Sequence, residues 1–543
     1  MKTTNILDIK YLKDGGWWFS QFGERPSRVS ENARPWESRN GVYVLKNRNS
    51  LSIVTDDFGS VPVFFDLKNI LFSNDLQHLN FDNVQTEWFD KPAFWESMIY
   101  DYSFNSRTSI KNIIQVPGGS IFAFNFQSRE WSIERWNYFN VKETGFEESK
   151  LLASIDQRLL DLCDQYWKSL NPDSFILLPL SGGLDSRLLA VYLVLTGDPN
   201  RIKAVTFGFS KKSQEYMIAK QVCEELGIKK HWFHPVSREI YTENASDFWK
   251  PWRGCLSAAH GHLYSFLKAT DCVNALLVTG FLADPIVGFA ASERKQPALS
   301  LEKQPVYLHL LSDAKELGIE DGIFADIKAD LNKTYREWLE NCNRFEFGEY
   351  LYLSQRQSKT YALLLQAYRD HCRVVIPFAD PALATLFLSA PYVLRKDKEI
   401  IRKLLSNKNA NLANLKDLSS SISKRTAQQF LRSELRKWSS RISLILRLLT
   451  KDKVRYFSPY WTEDLIGAYR VECREAILTS LDSLYEQNIL SDHQMCILKT
   501  KPLKSREVAR ISTVLSYLPA FLSEPSWSLA DDNKLQPKRE HSL

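Results

Sequence analysis

The sequence predicts an α/β protein: a β-rich N-terminal domain followed by a parallel-sheet α/β domain with a helical C-terminal part. Three observations carry this. From the start to about residue 140, short apolar runs (GVYVLK, LSIVTDD, PVFFDL, SIFAFNF) alternate with Asn, Asp, Gly and Pro, the pattern of strands joined by turns. From residue 175 to 236, the apolar strands FILLPL, IKAVTFGF and KKHWFHPV alternate with helical segments 184–196 and 213–226, the order of a parallel sheet with crossover helices. Beyond Leu301 helical periodicity dominates to Leu522.

A helical pattern between Glu147 and Leu170 opens the second domain, and NALLVTGF (Asn274 to Phe281) adds a strand to its sheet. The expected divisions are 1–145, 146–525 and a disordered tail, 526–543, whose DDNKLQPKREHSL carries little apolar surface. The 543 residues, 44% hydrophobic, suffice for two or three ordinary cores. A net charge of +6 without a basic cluster gives no reason to expect a nucleic-acid partner. Eight scattered cysteines, none at Cys-x-x-Cys spacing, read as mostly buried thiols rather than a metal or disulfide framework. The start, MKTTNILDIKYLKDGG, lacks the apolar core of a signal peptide, and no run of about 18 apolar residues could span a bilayer, so a cytoplasmic protein is expected. The runs RISLILRLL (Arg441 to Leu449) and ISTVLSYLPAFL (Ile511 to Leu522) are expected as core helices.

Chemistry concentrates in LLPLSGGLDSRLLAVYL, Leu177 to Leu193. A strand there gives way to a helix through Ser181-Gly182-Gly183-Leu184-Asp185-Ser186, just after Leu180. In a parallel sheet, ligands bind beyond the carboxyl ends of strands, where a glycine-rich turn and a helix N-terminus offer N–H groups to an anion. Gly182 and Gly183 allow close backbone approach and positive φ, Ser181 and Ser186 add hydroxyls, and Asp185 either ligates a metal among phosphates or merely caps the helix. No Gly-Lys-Ser/Thr follows, so transfer of a terminal phosphoryl group is not the expected chemistry. An apolar strand ending at Thr279 would deliver Asp284 to the sheet edge that carries Asp185.

SGGLDS resembles the pyrophosphate-loop motif of N-type ATP pyrophosphatases, and four further segments are similar to motifs of the asparagine synthetase superfamily, which includes β-lactam synthetases and lasso-peptide cyclases. VTDDFGSVPVFF...ILFSNDLQHL and RTSIKNIIQVPGGSIFAF resemble segments of its glutaminase-like, Ntn-hydrolase-like N-terminal domain. VTGFLADPIVGF resembles Ser-Gly-x-Gly-Ala-Asp-Glu-Leu-Phe-Gly-Gly, and VVIPFADPALATLFLSAP resembles Arg-x-Pro-Phe-Leu-Asp followed by Leu-Pro. The resemblance implies ATP and Mg²⁺ as cofactors: Leu180, Ser181, Gly182, Gly183, Asp185 and Ser186 in the nucleotide loop, Gly280, Asp284 and Gly288 in the second motif, and Asp185 with Asp284 as metal ligands. It also implies that backbone groups around Thr206, Phe207 and Gly208 meet the adenine, and that a C-terminal cation, Lys504 or Arg506 in KTKPLKSREVAR, offsets charge during adenylation.

The chain departs from the family pattern at several places. It begins Met-Lys-Thr-Thr, without the N-terminal cysteine nucleophile, so the first domain is expected to hydrolyse no glutamine. Phe281, Leu282 and Pro285 replace polar groups of the second motif, and Arg373 stands where a carboxylate assists deprotonation; a guanidinium cannot act as that base, so Arg373 is assigned to an anionic substrate. Arg187 either reaches phosphate or lies in solvent. His260 and His262, in AAHGHLYSF, take a hydrogen-bonding or acid/base role in the acceptor pocket or simply pack. The leading expectation is an AMP- and pyrophosphate-forming ligase joining a small-molecule or peptide carboxylate to ammonia or a substrate amine, as a homodimer or with a partner protein of a biosynthetic pathway. The alternative is a nucleotide-binding or partner-binding subunit that keeps the fold.

Overall fold

The computed structural model describes residues 15–20, 27–29, 41–76, 79, 89–141, 147–208, 210–236, 252, 255–256, 261–288, 299–342, 344–416 and 474–500. The expected tail, the apolar runs at 441–449 and 511–522, His260, Lys504 and Arg506 lie outside the described residues.

The first half is built on antiparallel strands. β1 (Gly15–Ser20), β2 (Ser27–Val29), β3 (Gly41–Lys46), β4 (Ser50–Thr55), β8 (Ser120–Asn125) and β9 (Trp131–Arg135) form a sheet in the order β2-β1-β3-β4-β8-β9. A smaller sheet, β6-β5-β7, comprises β5 (Phe64–Asp66), β6 (Leu71–Ser73) and β7 (Ile113–Gln115). Strand alternation divides the side chains: Leu51 and Ile53 join Phe65, Phe72, Phe122 and Phe124 in one core, while Val54 packs with Tyr43 in another. Lys91–Tyr100 is a helix (α1) set among these strands, with the Asp90 side chain accepting from the Ala93 N–H at its start. Seven of its ten residues are buried, so it lacks the one-sided stripe by which a surface helix is read from sequence.

In the second half, α2 (Glu148–Lys168) buries Leu151, Ile155, Leu159, Leu162 and Tyr166 at helical spacing. Then come β10 (Phe175–Pro179), α3 (Leu184–Thr196), β11 (Ile202–Gly208), α4 (Gln214–Leu226), β12 (Lys230–Pro235), β13 (Ala275–Val278) and β14 (Arg373–Val375). All neighbouring pairs are parallel, in the order β12-β11-β10-β13-β14. β10 through β12 progress to one side and β13 and β14 to the other, so the order reverses between β10 and β13.

The two halves meet along an irregular helix. Phe347–Leu351 passes into a π-helical stretch, Tyr352–Tyr361, and resumes as α-helix over Ala362–Arg369. Ser354, Gln355, Gln357, Ser358 and Lys359 are buried in the wide turns. Several of them bond to the first half: Gln355 Oε1 accepts from the Asn105 N–H at 2.9 Å, Ser358 O from Gln115 Nε2 at 2.7 Å, and Lys359 Nζ donates to Arg107 O at 2.8 Å. The VTDDFGS segment sits at this seam. Asp56 accepts the N–H groups of Gly41, Phe58 and Ser60, closing a turn in which Gly59 has φ +60° and lies where a Cβ would come within 2.9 Å of Ser358 Cβ. Among the described residues no helix is long and apolar enough to cross a membrane.

Candidate functional site

Where strand order reverses in a parallel sheet, the loops leaving the two central strands diverge to opposite faces and open a crevice at the carboxyl edge. Here those strands are β10 and β13, and the loops are Leu180–Gly183 and Thr279–Leu282. A cavity of about 250 Å³ lies there, lined by Leu180, Ser181, Asp185, Ser186, Thr206, Phe207, Glu215, His262, Thr279, Gly280, Phe281 and Tyr368 among others.

The turn after β10 is organised by its serines. Ser186 Oγ receives the Ser181 N–H at 3.2 Å and lies 3.1 Å from Ser181 Oγ, which in turn accepts the Gly183 N–H at 3.1 Å. Gly183 is the N-cap of α3 with φ −79°, and no side chain caps the helix. Asp185 stands in the first helical turn without capping it, which removes the bland reading of that residue. The expectation of positive φ at Gly182 and Gly183 is corrected: neither adopts it. A Cβ at Gly183 would come within 3.2 Å of Ser181 Oγ, so close approach rather than backbone handedness favours glycine there. Gly182 and Gly183 do not line the cavity, and neither does Gly208, whose carbonyl accepts the Val236 N–H at 2.9 Å.

β13 delivers the second motif to the same edge. Gly280 lies against Asp185, a Cβ there being 3.7 Å from Asp185 Cβ. Asp284 sits in the short helix Ala283–Val287, which ends at Gly288 with φ +106°. A Cβ at Gly288 would lie 2.5 Å from Arg395 O, so both handedness and space require glycine. Asp185 and Asp284 meet at one atom: Lys398 Nζ bonds to Asp185 Oδ2 and to Asp284 Oδ1. The two contacting oxygens are therefore no more than about 6 Å apart, two hydrogen-bond lengths. Lys398 is almost wholly buried, Asp284 half exposed. Burial opposes charge on the lysine, but the Asp185 and Asp284 carboxylates outweigh it and hold its pKa above the ordinary value. Two carboxylates converging on one cation beside a helix N-terminus fit a Mg²⁺ ion, which takes one or two protein carboxylates and fills its shell with phosphate and water oxygens.

The wall on the β11 side is fixed by one hydrogen-bond chain. Thr206 Oγ1 donates to Leu180 O at 2.6 Å and lies 2.8 Å from His231 Nε2. The single hydroxyl proton is used, so His231 donates from Nε2. The Thr206 side chain thus ties β11 to the nucleotide loop. His231 stacks on Tyr216 at 4.9 Å, and burial, with Lys211 and Lys220 nearby, pushes its pKa down to about 4. The unfolded chain then binds the extra proton between about pH 6.5 and 4 and the folded chain does not, so stability is complete above that window and declines as pH falls through it. Thermal unfolding across the window should show this decline, and His231→Gln should flatten it.

The opposite wall is aromatic: Phe281 packs against Tyr361 and Tyr368 with ring centroids 5.2 and 6.5 Å apart, while on the β11 side His262 meets Phe207 edge-on at 5.0 Å. Two arginines stand elsewhere. Arg373 begins β14 level with Leu276, about 10 Å short of the carboxyl edge, and donates to Ser169 O at 3.1 Å at the opposite end of the sheet. The structure does not bring it to the cavity. Arg187 is neither in solvent nor at the cavity: fully buried, it donates to Gly182 O and to Leu412 O, Leu415 O and Lys416 O, pinning the nucleotide loop to the later helices. Lys398 was not anticipated. Its one signal is a cation-rich run, RKDKE, at the start of a helix, Glu399–Lys408, where the dipole disfavours positive charge.

Residues 171–248, which include β10, the nucleotide loop, α3, β11, α4 and β12, match the family model for asparagine synthase. No curated protein matches the chain.

Proposed function

From membership of the asparagine synthetase superfamily, which the match over residues 171–248 supports, we propose that this chain adenylates a carboxylate with ATP and passes the acyl group to nitrogen. The observation that carries the reading is the convergence of Asp185 and Asp284 beside the N-terminus of α3 at an open cavity. In the first step a carboxylate oxygen attacks the α-phosphorus and pyrophosphate leaves. In the second an amine attacks the acyl carbon, AMP leaves, and the nitrogen loses a proton. The unpaired N–H groups of the first turn of α3 and the Ser181 and Ser186 hydroxyls hold phosphate oxygens; the backbone at Thr206 and Phe207 faces the base. Mg²⁺ between Asp185 and Asp284 would supply charge to the leaving pyrophosphate. Lys504 or Arg506 serves as the further cation of the adenylation step.

Three finer points belong to the reading. Residues 1–162 contain no cysteine, which supports nitrogen from ammonia or a substrate amine rather than from glutamine. The first domain, 1–145, then acts as the platform that holds the π-helical stretch of the synthetase part, 146–525. Phe281, Tyr368 and His262 on the acceptor side support a carboxylate with an apolar body, as in peptide, natural-product or glycan modification, over free aspartate. Incubation with ATP, Mg²⁺ and pooled carboxylates should release AMP, read by mass spectrometry. ATP binding with no AMP from any carboxylate would instead make the chain a nucleotide-binding subunit. With a turned-over carboxylate in hand, Phe281→Ala should raise KM about tenfold, the loss of one aromatic contact, with kcat little changed.

A further inference from the structure

Two carboxylates at the mouth of an anion site repel each other unless a cation lies between them. In this chain the cation is already present as Lys398. It comes from a segment 213 residues beyond Asp185 and 114 beyond Asp284, and its side chain is 4% exposed. The backbone that presents it is strained: Asp397 and Lys398 are consecutive non-glycine residues with φ +55° and +60°. Such a pair persists only where the surroundings impose it. The helix that follows, Glu399–Lys408, buries Ile400, Ile401, Leu404 and Leu405, which anchors the lysine.

We infer that Lys398 is the resident counter-ion of the Asp185–Asp284 pair, closing the pair to free divalent metal and releasing it only to metal that arrives with a polyphosphate. Two carboxylates and one ammonium leave a single net negative charge, too little to draw a hydrated divalent ion from water. A bound triphosphate changes the balance. Its oxygens compete for the ammonium, and both carboxylates become available to the metal that accompanies them. Lys398 is thus a specificity-determining residue: it makes the metal–nucleotide complex, not the free metal, the species that the site accepts. The inference rests on the ligase reading only in taking a polyphosphate as the ligand.

The test uses the full chain without nucleotide and Mn²⁺ as the probe, titrated by electron paramagnetic resonance. Wild type should bind Mn²⁺ at this site with a dissociation constant no tighter than about 1 mM, and Lys398→Met should bind at least about tenfold tighter, because the ammonium that both carboxylates face is then gone. The double variant Asp185→Asn/Lys398→Met should return to the wild-type value. Equal or weaker binding by a folded Lys398→Met, or by Lys398→Gln if the methionine variant fails to fold, overturns the inference. So does retention of the gained affinity in the double variant, or micromolar Mn²⁺ binding by nucleotide-free wild type. AMP release by wild type is scored separately, so failure of the ligase reading leaves the metal titration intact and the reverse.

Discussion

Asp185→Asn should lower AMP formation by at least about a thousandfold, roughly 4 kcal/mol of lost charge stabilisation, while the protein stays folded. The substitution keeps side-chain volume and removes one charge. Asp185 neither caps α3 nor carries core packing, so the fold loses a favourable interaction with the helix dipole, about 0.3–1 kcal/mol, and one of the two carboxylates that face the buried Lys398 ammonium, Asp284 remaining as the other. The chemical loss is larger because, in the proposed reaction, Asp185 and Asp284 hold the same ion. Asp284→Asn should cost a similar factor, and the double variant little more than either alone, since residues that work as a unit are not additive. Mass-spectrometric AMP yield at saturating ATP measures the effect, with circular dichroism as the control for folding. Unchanged AMP yield in Asp185→Asn would remove this carboxylate from the reaction.

The convergence of Asp185 and Asp284 was legible in the sequence for a simple reason. Both follow apolar strands, and in a parallel sheet every strand ends at the same edge, so two acids just past two strand ends must come near each other. Arg373 was assigned by resemblance of its segment alone, and the same rule places it elsewhere: it is the first residue of the strand RVV, and the first residue of a parallel strand lies at the edge away from the carboxyl ends. Lys398 escaped because nothing local links it to either acid. Its position follows from the packing of a helix whose apolar face alone is visible in the sequence. The same applies to Arg187, directly after the nucleotide loop yet turned inward onto carbonyls contributed by residues 412–416. Polar side chains that satisfy distant backbone groups leave no periodic trace. Nor does the π-helical stretch, whose extra-wide turns are stabilised by partners 219–252 residues away.

Arg395→Met should cost about 3–5 kcal/mol of stability, the largest effect expected of any single substitution outside the carboxylate pair. Arg395 is 4% exposed and its partner Glu349 is fully buried, so removing the guanidinium strands a carboxylate in the core. A lower denaturant midpoint with an unchanged slope measures this. The arginine has a second task. It donates to Pro285 O and Ile286 O, both at 3.4 Å, and its own carbonyl faces the glycine that ends the Asp284 helix. Pairing the change with Glu349→Leu separates the two tasks. The double variant removes both charges and should recover most of the stability, because a buried ion pair exchanged for apolar packing is often near neutral. It cannot restore the hold on Pro285 and Ile286, so AMP formation should remain reduced. Full recovery of activity along with stability would show instead that Glu349 compensation is the whole role of Arg395, and that the helix carrying Asp284 is positioned by Gly288 and its strand alone.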